Sequence, residues 1–408
     1  MTSPVTVSAQ DCDESDLIDW LPYPHGVLAW LRGDEGFVGW GTAATFRPVG
    51  RERFGDAQRW WNSFLQSTVT DDAISGAPDG PIGFVRMAYA DESDQSLLTV
   101  PKMMLVRRDG AQWTTRVMPD SQVQARAVRT RPVSAPTDVR YRAGRVSSSE
   151  HRKAVAAAVA RIDDGRLDKV VLARDVVAYS PRLLDQRWII RRLSTLFPTC
   201  WVFAVDGLLG ASPELLLRVT KDRFEVLVLA GTAWPDNGDD PVDLLGSHKD
   251  RSEHEIAVDS VMTALGPLSA TIYAPSTPSV LRLPNVDHLA TQVRGRLASP
   301  HPAPLVLLGR LHPTAAVCGT PRQAAQDTIR ELEKIDRGGY LGPVGWLDAN
   351  GNAEFAIALR CAQLGSRTAR LFAGGGIVAG STPDREDAEV EVKLNAFRSA
   401  LGDQDHGA

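Results

Sequence analysis

The stretch LFAGGGIVAGSTPDREDAEVEVKL, residues 371–394, changes its period halfway, and that change decides the fold class. Its first half is an apolar strand ending on three consecutive glycines, Gly374 to Gly376. Its second half turns helical at Pro383, because a proline in the first turn lacks an N–H that would have had no partner there anyway. The helical pattern runs to about Leu401. Within it Glu386 and Glu389 stand three residues apart and share one helix face. A second segment, SHKDRSEHEIAVDSVMTAL (247–265), has apolar residues at helical spacing (Ile256, Val261, Leu265) and the same acidic spacing at Asp250 and Glu253. Strand and helix follow one another here without a regular βαβ alternation. That favours an α+β fold over a doubly wound sheet.

Working outward, SSSE at 147–150 leads an alanine-rich run to Ile162, the signature of a capped helix. Lys169 opens a β-branched run, KVVLAR followed by VVAY, that reads as a strand. A helix follows at Leu184–Leu196, then strands at Cys200–Val205, Glu214–Val219 and Phe224–Ala230. DANGN at 348–352 joins two apolar runs and predicts a hairpin with an Asn-Gly turn. Within an N-terminal part, 21–140, residues Gly26 to about Arg131 read as short strands punctuated by Trp30, Trp40, Trp60, Trp61 and Trp113. The proline-rich RPVSAPTD near Pro132–Thr137 reads as a seam before a second region, 145–402. Residues 1–20 are acidic and polar, and are expected to be disordered.

The 408 residues are 43% apolar and 23% charged, ordinary for a globular chain, with a net charge of −5. That balance offers no basic field for nucleic acid or an anionic membrane. An anionic substrate would need a local device, such as a metal or a placed arginine. No apolar run reaches the roughly 18 residues of a membrane span, and the start has no signal-peptide pattern. Cys12, Cys200, Cys318 and Cys361 lie far apart, which speaks against a disulfide framework or a zinc site. A cytoplasmic protein with reduced thiols is expected.

Each candidate site residue has a plain reading beside a chemical one. The acidic pairs are common on solvated helix faces. If the two faces converge, their all-oxygen set suits a hard ion that keeps waters, namely Mg²⁺. Lys169 is either a snorkelling strand lysine or a buried amine that activates water, since burial favours the neutral amine. Glu214, in ASPELLL, is either a strand-start carboxylate or a desolvated acid able to donate a proton. The Gly231-Thr232 turn and Gly374–Gly376 can present backbone N–H groups to an anion. Arg360 is a surface charge or a bidentate carboxylate clamp. His288 is a satisfied core histidine or a ligand contact. Lys393 lies one turn beyond Glu389 and suits an ion pair with it.

The segments occur in an order that resembles the chorismate-utilising enzymes: DKVVLAR (168–174), GASPELLLRV (210–219), LAGTAWP (229–235), KDRSEHEIAVD (249–259), HLATQVRGRL (288–297), LHPTAAVCGTPR (311–322), GPVGWLDANGNAEFAIALRCAQL (342–364) and the opening stretch. The resemblance covers about residues 145–402 and is strongest to isochorismate synthases. It implies two large β-sheets flanked by helices, with the N-terminal part joined to the catalytic region in one compact unit. It implies Mg²⁺ held directly by Glu253 and Glu389, with Asp250 and Glu386 beside it. It implies a chorismate ring carboxylate near Gly231, Thr232 and His288, and an enolpyruvyl carboxylate near Tyr340, Arg360, Gly374 and Gly376, with Lys393 near the metal waters. Lys169 becomes the general base and Glu214 the general acid. Anthranilate synthases usually carry glutamine where Lys169 stands. Aminodeoxychorismate synthases carry a covalent lysine where Ala230 stands. Ala290 resembles isochorismate rather than salicylate synthases. The resemblance thus implies an isomerase acting as a monomer without a glutaminase subunit, serving menaquinone, siderophore or salicylate biosynthesis alike. Ala233 and Cys318 depart from common family residues, at positions away from the proposed chemistry.

Overall fold

Strands that send alternate residues into two different cores build this molecule. In the strand Trp201–Val205, Trp201, Phe203 and Val205 enter one apolar cluster, while Val202 and Ala204 enter another. The strand Leu28–Arg32 divides in the same way, with Trp30 on one face and Ala29 and Leu31 on the other. This is the period-two geometry of a pleated strand covered on both sides. The computed structural model describes residues 5–11, 16–71, 80–119, 132–233, 241–283 and 286–402.

Two sheets result. The thirteen-stranded sheet runs from Arg140–Ala143 through Lys169–Tyr179, Thr368–Val378, Cys361–Leu364, Leu208–Ser212 and Trp201–Val205. It continues through Leu28–Arg32, Glu35–Trp40, Met103–Arg108, Ala111–Pro119 and Val5–Asp11 to Thr68–Asp71, and Gly319–Thr320 joins it beside Lys169–Tyr179 as the thirteenth strand. The ten-stranded sheet runs from Ser269–Tyr273 through Val286–Leu297, Arg223–Ala233, Leu215–Thr220, Ala353–Ile357, Pro343–Asp348, Ile82–Arg86 and Leu97–Val100 to Ala44–Phe46, and Ser279–Leu283 joins it beside Val286–Leu297 as the tenth. The sheets meet face to face. Phe37 of the first packs edge-on against Phe84 and Trp346 of the second, with ring centres 5.4 and 5.5 Å away. Removing a buried phenylalanine from such a contact costs about 3–5 kcal/mol. The architecture is α+β, as the mixed periodicity predicts.

The predicted helices form close to their expected limits. Ser147 caps Ser148–Asp163 with a complete capping box, its backbone N–H donating to Glu150 at 2.8 Å. Ser247 caps His248–Leu265 and accepts from the Asp250 N–H at 3.2 Å. The last helix, Pro383–Ala400, buries Val390, Leu394 and Phe397 against the outer face of the large sheet. Its first turn is fixed by Asp387, which accepts from Ser148 at 2.6 Å and Arg174 at 3.1 Å. The hairpin at Asp348–Asn352 joins two paired strands.

Three expectations differ from what is observed. Within the stretch read as short strands, Arg53–Gln66 is an α-helix that buries Phe54, Ala57, Trp61 and Phe64, a three-and-four spacing that the tryptophans alone do not display. Val5–Asp11 is a strand, paired antiparallel with Ala111–Pro119 and parallel with Thr68–Asp71, and Leu17–Trp20 is a short 3₁₀ helix. The order expected to be missing there follows from the alternation Val5, Val7, Ala9, which polar neighbours mask in a compositional reading. The proline-rich seam is no break in packing, because strands from both sides of it lie in one sheet. Cys200, Cys318 and Cys361 are buried free thiols; Cys12 lies outside the described residues. Among the described residues no helix is long and apolar enough to cross a membrane.

Candidate active site

A cavity of about 300 Å³ opens where the strands Lys169–Tyr179 and Thr368–Val378 of one sheet face Arg223–Ala233 of the other, under the helices His248–Leu265 and Pro383–Ala400. Every residue singled out from the sequence lines it except Lys169, Thr232 and Ala290. Segments more than 200 residues apart in sequence, Val171 and Phe372 among them, meet here because Lys169–Tyr179 pairs along its whole length with Thr368–Val378.

Lys169 stands just behind the lining. It is 1% exposed, and its Nζ lies 2.8 Å from Oε1 of Glu253. A Cβ placed on Gly376 would come within 3.0 Å of the Lys169 Cε, so only glycine leaves that amine a path past the strand. Glu214 occupies the turn between Leu208–Ser212 and Leu215–Thr220, where its N–H donates to the Ser212 hydroxyl at 3.2 Å. Burial raises its pKa to about 8, against the opposing effects of a Leu229 backbone hydrogen bond and the Lys169 charge. It is a protonated acid at neutral pH.

The strand Cys361–Leu364 covers one edge of Thr368–Val378 only as far as Phe372. From Ala373 onward that edge has no strand neighbour on this side, so the glycine backbone faces the cavity. Arg360 sits beside this gap. Its φ of +45° is left-handed, a conformation that costs a non-glycine residue about 1–2 kcal/mol. Its Nη1 has no hydrogen-bond partner among the described residues. A strained arginine with an unsatisfied donor in a cavity wall is arranged for an anion. Burial lowers its pKa, with Cys200 opposing. Tyr340 stacks on Phe372 at 5.2 Å, and burial raises its hydroxyl pKa, so it remains a donor.

Gly231 is the bulge at which the strand Arg223–Ala233 slips register against Val286–Leu297. Its φ is +77°, and a Cβ there would press on Asp250 at 3.1 Å. His288 approaches its carbonyl at 3.2 Å through Nδ1. A carbonyl only accepts, so Nδ1 carries the proton. Burial, with Arg360 and Lys393 adding to it, lowers the His288 pKa to about 3. The ring is therefore neutral and its Nε2 is an acceptor. The Thr232 backbone pairs with His288; its side chain lies outside the described residues. Ala290 pairs with Leu229, which does line the cavity.

The acids arrive from two helices onto one strip of strand. A Cβ on Gly375 would lie 3.1 Å from Glu386 Oε2 and 3.6 Å from Glu389 Oε1, and one on Gly376 would lie 2.7 Å from Glu253 Oε1. Asp250 accepts from Ser247. Glu389 is held by Lys393 at 2.6 Å, and Lys393 also donates to the Gly374 carbonyl at 3.0 Å. Among the described residues no three such groups form a ready-made metal shell, because lysines occupy Glu253 and Glu389. The donor chemistry still fits a hard divalent cation: four carboxylates in one cavity, with no thiol or imidazole among them.

Sequence reasoning missed Phe372, the platform under Tyr340, and Arg385, an exposed arginine at the cavity. Phe372 reads as one more apolar strand residue, and Arg385 as one more charge in a solvated turn.

The family described as chorismate binding enzyme matches residues 28–402, and the chain belongs to it. Its relatives narrow the comparison to one activity. The chain is 35% identical over 416 residues to the salicylate biosynthesis isochorismate synthase of Pseudomonas aeruginosa, covering 94% of this chain and 86% of that one. It is 35% identical over 351 residues to isochorismate synthase EntC of Escherichia coli, covering 81% and 89%. The crystal structure described as a putative 2,3-dihydroxybenzoate-specific isochorismate synthase, DhbC, of Bacillus anthracis superposes with a TM-score of 0.77 at 28% identity, over 95% of this chain and 98% of the other.

Proposed function

We propose that this chain is an isochorismate synthase, and the observation that carries the reading is the pairing of a buried lysine and a protonated buried glutamate on one cavity. Exchange of water for hydroxide on a ring needs a base for the incoming water and an acid for the departing hydroxyl. Lys169, acting as the neutral amine, takes the proton from water as its oxygen bonds to ring C2. The ring double bonds shift, the C4–O bond breaks, and Glu214 delivers its proton to the leaving hydroxyl, which departs as water. The product is isochorismate. Arg360 and Tyr340 hold the enolpyruvyl carboxylate, and the Gly231 backbone faces the ring carboxylate. Neutral His288 accepts a hydrogen bond from a hydroxyl or water.

Charge supports a cation requirement. With Glu214 protonated, His288 neutral and Lys169 serving as the neutral base, Asp250, Glu253, Glu386 and Glu389 stand against Arg360, Arg385 and Lys393 among the described residues. These walls carry more negative than positive charge, so a dianion such as chorismate brings two charges with no counterpart. Mg²⁺, held by Glu253 and Glu389 with Asp250 and Glu386 beside it, would neutralise and orient the ring carboxylate. Ala230 at the cavity offers no nucleophile, which favours water over a covalent lysine and a monomer without a glutaminase subunit.

Chromatography of the products from chorismate and Mg²⁺, with and without ammonia, tests the reading. Isochorismate is expected in both cases, EDTA should stop turnover, and added Mg²⁺ should restore it. Stoichiometric salicylate and pyruvate from the outset, an amino product, or full activity in chelator would each overturn the corresponding part.

A further inference from the structure

Among the described residues Lys169, Arg360, Arg385 and Lys393 lie at or just behind the cavity wall, and two of them are already spoken for. Lys169 is paired with Glu253, and Lys393 with Glu389 and the Gly374 carbonyl. The other two are guanidiniums. Arg360 has an unsatisfied Nη1 within the wall. Arg385 lines the same cavity, is exposed, and makes no ion pair or hydrogen bond among the described residues.

The local helix does not account for Arg385. It lies in the first turn of Pro383–Ala400, where the helix dipole disfavours a cation by about 0.3–1 kcal/mol. Its neighbours do not recruit it. Asp384 is engaged by Arg152 at 3.1 Å, and Glu389, one turn along, is held by Lys393. An arginine in an unfavourable helix position, without a partner, at the rim of a cavity, has donors to spend on what enters.

We propose that Arg385 is a second carboxylate-anchoring residue, which folds over the carboxylate of the substrate that Arg360 does not hold. This rests on the reading that the substrate is a dicarboxylate. A guanidinium presents paired N–H groups that match a carboxylate fork, so two guanidiniums lining one cavity suit a dianion with two carboxylates. The position is exposed, so replacing the residue leaves the fold intact.

Calorimetric binding of chorismate to Arg385→Ala, Arg385→Lys and the unaltered enzyme, with Mg²⁺ present, tests this, and product identity is followed separately. Arg385→Ala should weaken binding and raise KM by roughly 1.5- to fivefold, the range for an exposed charge contact. The kcat should change far less than KM. Lysine should recover part of the loss, since it keeps the charge and loses the fork. Raising the salt should weaken binding to the unaltered enzyme more than to Arg385→Ala. Equal affinity of the alanine variant and the unaltered enzyme, or equal salt dependence, would overturn the assignment and leave Arg385 a solvated rim charge. The binding ratio decides this whatever product forms, and the product decides the proposed function independently.

Discussion

Two glutamates sit in cavities of this molecule, and they differ in what surrounds the carboxylate. Glu354 is saturated with donors. Its Oε1 accepts from the indoles of Trp30 at 2.7 Å and Trp201 at 2.9 Å, and Oε2 accepts from Arg218. Glu214 has only the Leu229 backbone and the Lys169 charge to oppose its burial, and its pKa rises to about 8. Glu354 is arranged to accept hydrogen bonds and to tie strands of both sheets together. Glu214 is arranged to hold a proton and to part with it. Burial alone does not make a carboxyl an acid catalyst; the donors left out around it do.

The comparison breaks most visibly in turnover. Glu214→Gln should lower kcat by roughly 10²–10⁴-fold, the usual contribution of a general acid, with modest change in KM. Lys169→Ala should do the same from the other end of the exchange. Steady-state rates with chorismate check both. A Lys169→Ala enzyme with near-normal kcat would make Lys169 a strand lysine that merely pairs with Glu253, and another base would have to be found.

Much of the difference between these glutamates was invisible in sequence, and the reason is physical. Glu214 stands out because it leads an apolar run. Glu354, in NAEFAIAL, looks like the polar member of an alternating strand, and its three donors come from residues 30, 201 and 218. Such long-range partners follow from sheet order, which a single chain does not display. The acidic pairs were legible because their i, i+3 spacing is local, and so were the helices that carry them. That both helices face one strip at Gly375 and Gly376 depends on a pairing between Lys169–Tyr179 and Thr368–Val378 across some 200 residues. That His288 would meet the Gly231 carbonyl was hidden for a similar reason, since the contact is made at a strand bulge.

A second way to sharpen the contrast is to neutralise Glu354. Glu354→Gln should cost roughly 1–3 kcal/mol of stability, the usual penalty for leaving a partly buried charged hydrogen bond incomplete, here the one from Arg218. Chemical denaturation measures this. Activity per folded molecule should be near that of the unaltered enzyme. A large loss of kcat with unchanged stability would mean that the second cavity acts on the first, and that Glu354 is more than a tie between sheets.

The last test is pH, where loss of the proton that serves catalysis also weakens the fold. The free Glu214 carboxyl has a value of 4.5, and the folded one about 8. The folded state therefore holds the proton more tightly, so Glu214 contributes stability that is fully present below about 4.5 and is lost as pH rises to about 8. Glu214→Gln has no such proton to lose. The stability difference between variant and unaltered enzyme should open in favour of the variant across that window, and stay constant above it. Activity should follow the same group. Loss of the Glu214 proton should lower kcat/KM about tenfold for each pH unit above about 8. Chorismate and isochorismate carry the same charge, so their equilibrium does not depend on pH. The forward and reverse profiles must then fall together, and the slow residual rate of Glu214→Gln should lack that limb. Unaltered enzyme whose kcat/KM stays flat well above pH 8 would show that the proton on the leaving hydroxyl comes from elsewhere.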